Sequence, residues 1–75
     1  MPTNKARGLA VSKLIAIYNG ASEGTTQQME AIAALGRVGG EVAAEALVSI
    51  YNEASQGTKQ QYAAIKALGE VGRVS

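Results

Sequence analysis

Residues Leu14 to Gly39 read LIAIYNGASEGTTQQMEAIAALGRVG, and Leu47 to Gly72 read LVSIYNEASQGTKQQYAAIKALGEVG. Slid by 33 positions, the two stretches align without a gap and 17 of the 26 positions are identical. A repeat of this length is one supersecondary unit written twice, and such a unit cannot cover its apolar face alone. The copies fill nearly all of the 75-residue chain, as repeat 1 over 8–39 and repeat 2 over 40–73 of a single domain spanning 1–75. Residues 1–7 fall outside the alignment and read as an N-terminal tail or the end of a truncated third repeat.

Each copy divides into two helical patterns. In EVAAEALVSIYN, the residues Val42, Ala46, Leu47, Ile50 and Tyr51 recur at spacings of three and four, a helical period rather than an alternating one. TKQQYAAIKALGEVG repeats the pattern with Ala64, Ile65, Leu68 and Val71. Abundant Ala and no Pro after Pro2 favour helix throughout. The spacing predicts an all-α chain with helices near 9–20, 25–38, 41–53 and 58–71.

The shared element YNxASxGTxQQ joins the two helices of each copy. Thr25 with Gln28, and Thr58 with Gln61, have the spacing of a capping box: the hydroxyl accepts from the N3 amide while Gln reaches back. Gly24 and Gly57 stand where the chain must turn, a place suited to left-handed backbone. The element thus spells helix end, turn and helix start. Its rival reading is a twice-used polar ligand made by Tyr18, Asn19, Tyr51 and Asn52. Asn near a helix C-terminus and a half-buried Tyr need no such role.

Composition narrows the function classes. Of the 47% apolar residues many are Ala, so large side chains are few and a core of this size leaves little surplus stability. There is no Cys and no His, which removes disulfides and the usual zinc ligands. Oligomer contacts or further repeats are the remaining supports. Seven basic and six acidic residues lie interspersed, and Lys5 with Arg7 make a weak patch, so neither nucleic acid nor a membrane is expected as a partner. No apolar run is long enough to span a bilayer, and a cytoplasmic protein is the default.

Catalytic constellations are missing as well. Most nucleophile and acid/base sets use His, Cys, Lys or paired carboxylates, and the six Glu are dispersed with no Asp beside them. Glu41 and Glu45 share a face in the first turns of a helix, where negative charge suits the dipole. GRVGG at Gly36 to Gly40 lacks the preceding strand and the Lys of a phosphate loop and reads as an inter-repeat turn. The expectation is no enzyme, no metal and no cofactor.

Where the copies differ is informative. In the second helix the unlike pairs are Thr26/Lys59, Met29/Tyr62, Glu30/Ala63, Ala33/Lys66 and Arg37/Glu70. At about 100° per residue all five fall within an arc of about 100°. Ala31, Ile32, Ala34, Leu35 and Val38, with Ala64, Ile65, Ala67, Leu68 and Val71, occupy the matching arc and read as core. The first helix behaves similarly, with Ser12/Glu45, Lys13/Ala46, Ala16/Ser49 and Gly20/Glu53 on its variable side. Met29 and Tyr62 are large on an otherwise polar arc, and Tyr, Met and Arg are enriched in interfaces. The variable arc of the second helices is therefore the candidate protein-binding face, centred on Met29, Arg37, Tyr62 and Lys66.

The endings AIAALGRVGG and AIKALGEVGR resemble the AAxALGxIGD ending of HEAT-like repeats, particularly the short type of bilin lyases and related scaffold proteins. The resemblance covers both copies. It departs from the family where Gly40 and Arg73 replace the usual Asp, where the first helix lacks Pro, and where Gln-Gln replaces Val-Arg at the start of the second helix. The resemblance implies two helical hairpins in a short right-handed α-solenoid whose second helices line the concave surface. It implies an interaction or scaffold module that binds a protein partner, with self-association through exposed repeat ends. The alternative it leaves open is an accessory subunit or fragment of a bilin-lyase-like or other larger HEAT-repeat enzyme.

Overall fold

The computed structural model describes residues 4–74, which form four helices: α1 (Asn4–Gly20), α2 (Thr26–Val38), α3 (Glu41–Glu53) and α4 (Lys59–Val74). No strand occurs among the described residues. Fold class and helix count match the sequence expectation. Two helices are longer than the spacing predicts. Lys5, Ala6 and Arg7, all good helix formers, carry α1 back to Asn4, so residues 4–7 form its first turn. Residues 1–3 lie outside the described residues.

At the other end, the two copies part company where Gly40 is matched by Arg73. Gly39 ends α2 with φ 74° and Gly40 follows at φ 91°, so two consecutive left-handed residues turn the chain into α3. The positions equivalent to these are Gly72 and Arg73. A side chain at φ 91° is strained, so Arg73 disfavours the turn, and α4 runs on through both residues to Val74.

The turns within each hairpin are built alike. Gln28 N–H donates to Thr25 Oγ1 at 3.3 Å, and Gln61 N–H to Thr58 Oγ1 at 3.2 Å, which are the expected N-caps. The reach-back of the Gln differs from the expected box by one residue. Gln28 Oε1 accepts from Gly24 N and Gln61 Oε1 from Gly57 N, each at 2.8 Å. The reason lies in the turn: Thr25 N–H already donates to Ser22 O, and Thr58 N–H to Ser55 O, at 3.2 Å each. Each Thr hydroxyl also donates to the same Ser carbonyl. Gly24 and Gly57 have φ near 80°, as the turn reading requires.

The helices form two layers, α1 with α3 and α2 with α4. The most extensive packing is between α2 and α4. A Cβ on Gly36 would stand 2.9 Å from the Ala67 Cα and carbonyl oxygen, so the two helices touch backbone to side of backbone. Only glycine permits that approach. Ile32, Leu35 and Leu47 are fully buried, and Val11, Ala43, Ile50, Ala64, Ala67 and Val71 complete the core. One expected core residue is not there: Ile65 is 49% exposed, whereas its counterpart Ile32 is 0% exposed. Helix α2 is covered by α1, α3 and α4, whereas among the described residues α4 packs on α2 and α3 alone.

Candidate protein-binding face

None of the ten residues of the variable arc on α2 and α4 is buried. Thr26, Glu30, Arg37, Lys59, Tyr62 and Lys66 are exposed, and Met29, Ala33, Ala63 and Glu70 are half-buried. Because both helices use the same 3.6-residue period and pack side by side, their two arcs merge into one surface.

Half of that arc lines a groove between α2 and α4. Ala33 and Arg37 form one wall, Ala63, Lys66 and Glu70 the other, and Ala67 joins them, around a volume of about 220 Å³. The close approach at Gly36 and the small side chains Ala33, Ala63 and Ala67 make the depression. Long charged side chains at Arg37, Lys66 and Glu70 edge it. Glu70 lies 3.9 Å from Arg73, one turn on, a solvent-exposed pair that contributes little. Tyr62 stands apart from the groove, 62% exposed on α4. Its counterpart Met29 packs against the core instead. The variable first-helix positions Ala46, Ser49 and Glu53 join Ile15, Tyr18, Asn19 and Ile50 around a second groove in the other layer.

Sequence reasoning missed one contact, which involves a residue of the second groove. Gln60 Nε2 donates to Tyr18 Oη at 2.6 Å, tying α1 of repeat 1 to α4 of repeat 2 across 42 residues. Gln60 is 5% exposed, and the bond satisfies its buried amide. Burial, then the carboxylates of Glu53 and Glu23, push the Tyr18 phenol above its usual range. The available signal was that Tyr18 and Gln60 each have an identical counterpart, Tyr51 and Gln27, at the 33-residue shift. Spacing alone did not say that the two would meet across the repeats.

Among the described residues no three His, Cys, Asp or Glu cluster as metal ligands, and no helix is long and apolar enough to cross a membrane. The architecture is that of a helical repeat: two like hairpins stacked through their second helices. Residues 27–53 match the family model described as PBS lyase HEAT-like repeat. Over these 27 of its 75 residues the chain is similar to a HEAT-like repeat. The matched segment runs from α2 through the Gly39–Gly40 turn to the end of α3, framing the unit across the join between the copies. No curated protein and no solved structure matches the chain.

Proposed function

We propose that the chain is a non-enzymatic interaction module, working in the cytoplasm, that holds a protein partner on the exposed face of α2 and α4. The observation that carries this is the groove, because five of its six lining residues, all but Ala67, stand at positions where the copies differ. A volume of about 220 Å³ is below the roughly 300–1,000 Å³ of small-molecule pockets. It suits one or two partner side chains, with Arg37, Lys66 and Glu70 at its rim and Tyr62 offering a large amphipathic contact nearby. The right-handed superhelix expected from the resemblance and self-association through the repeat ends belong to the same reading.

The test is selection of a displayed peptide library on the immobilised chain, followed by titration of the enriched peptides against variants. Tyr62→Ala and Lys66→Glu are expected to weaken binding about tenfold or more, and Glu45→Ala, on the other layer, to leave it within about twofold. Equal losses at all three positions would remove the reason for choosing this face.

The description of the matched repeat favours one second reading, an accessory subunit or fragment of a bilin-lyase-like enzyme. Titration of the chain with a free bilin separates the two. Saturable, tight binding supports the second reading, and its absence leaves the interaction module.

A further inference from the structure

The internal junction between the repeats is a template for what covers the open end of the chain. Four features seal repeat 1 against repeat 2: Ile32 is buried, Gly36 admits Ala67, Tyr18 accepts from Gln60, and Arg37 shares a groove with Lys66 and Glu70. Shifted by 33 residues, the first three reappear on the outer side of repeat 2 with no occupant. Ile65 is 49% exposed, Tyr51 is 39% exposed, and a Cβ on Gly69 would meet nothing within 4 Å. Among the described residues the Tyr51 hydroxyl has no hydrogen bond such as Tyr18 makes.

The complement of that surface is on the same chain. Gln60 and Ala67, which fill the junction from repeat 2, correspond to Gln27 and Ala34 in repeat 1, both identical in type. Gln27 is exposed and Ala34 only partly covered, whereas Gln60 and Ala67 are buried. We infer that the open end of repeat 2 receives the open end of repeat 1 of a second copy, continuing the internal junction head to tail. In that arrangement Gln27 of the next copy donates to Tyr51, and its Ala34 enters the notch at Gly69. The groove residues sharpen the choice. Shifting the internal groove places Lys66 and Glu70 of one copy beside Glu30 and Arg37 of the next, so each cation can face an anion. The internal groove has Ala33 and Ala63 at two of those positions.

This inference rests on the part of the proposed function in which copies associate. Such an interface joins two different surfaces and does not close on itself, so it yields short open stacks rather than one symmetric dimer. One hairpin end offers a small area, so the association is weak. Sedimentation of the full chain at low salt is expected to show weight-average mass rising about twofold or more between about 20 µM and 1 mM. The rise shrinks in high salt as the Lys66–Glu30 and Glu70–Arg37 pairs are screened.

Two blocked variants test the direction. Gly69→Gln fills the notch on one end without touching the internal junction, and Ala34→Gln blocks the other. Each alone is expected to stay monomeric across the same range, and an equimolar mixture to form a 1:1 dimer and stop there. Gln27→Ala replaces Ala34→Gln if the latter fails to melt cooperatively. A wild-type chain monomeric at 1 mM, a blocked variant that still self-associates, or a mixture that remains monomeric would each overturn the inference. If copies associate although either end is blocked, self-association survives and the head-to-tail arrangement does not. The peptide titrations above are unaffected by any of these outcomes.

Discussion

Ile32 and Ile65 sit in matching segments, AIAALG and AIKALG, yet one is sealed in the core and the other is half in water. The same contrast separates Gly36 from Gly69 and Tyr18 from Tyr51. Local sequence therefore sets the helix and its apolar stripe, while the stacking neighbour sets what each stripe residue is worth. A repeat protein makes this visible because the local term is held constant between the two members of each pair.

The largest expected effect that would break this comparison is at the isoleucines. Ile32→Ala removes fully buried volume and is expected to cost about 2–5 kcal/mol, against less than about 1 kcal/mol for Ile65→Ala in the monomer. Urea unfolding of both variants checks it, and equal losses would mean that repeat 2 is covered in solution at the concentration used. The glycines should split in sign. Gly36→Ala drives a methyl into the Ala67 backbone and is expected to cost about 1–3 kcal/mol. Gly69→Ala, in open space on a helix, is expected to gain about 0.5–1 kcal/mol.

The caps sharpen the comparison by failing to differ. Thr25→Ala and Thr58→Ala each remove an N-cap made within its own turn, so both are expected to cost about 1 kcal/mol. A large disparity in thermal melts would show that the turns feel their neighbours after all. The smallest effect concerns pH. Tyr18 is held neutral by burial and by Glu53 and Glu23, which raises its pKa. The stability this gives is complete below the ordinary tyrosine pKa near 10 and is lost as pH rises through the elevated value. Wild type is therefore expected to lose stability in strong alkali by a margin that Tyr18→Phe lacks, measured as a narrowing gap between their urea midpoints above pH 10.

Much of the fold was legible because helical period, capping residues and the 33-residue repeat agree with one another. The turn residues Ser22 to Gln28 carry their own geometry, so their role could be read from letters alone. What was not legible depended on contacts between the copies. The mismatch of Gly40 with Arg73 was visible in sequence, but its consequence, a turn in one place and a continuing helix in the other, needed the backbone angles. Ile65 reads as core because its stripe matches that of Ile32, and no local signal says whether a neighbouring helix covers that stripe. The variable arc on α2 and α4 was readable from the differences between copies. The groove within it was not, since its depth comes from Gly36 meeting Ala67, two residues that never vary between the repeats.

The turn bonds also bear on the order in which the molecule assembles. Every contact that shapes Ser22 to Gln28, and Ser55 to Gln61, spans three or four residues. The Tyr18–Gln60 bond spans 42. Short loops close fast and long ones late. Each hairpin thus has the means to form by itself, and docking of one hairpin on the other, where Gly36 must meet Ala67, is expected to set the folding rate. Substitutions at that meeting point should slow folding, while those at the far end of repeat 2 leave its rate unchanged.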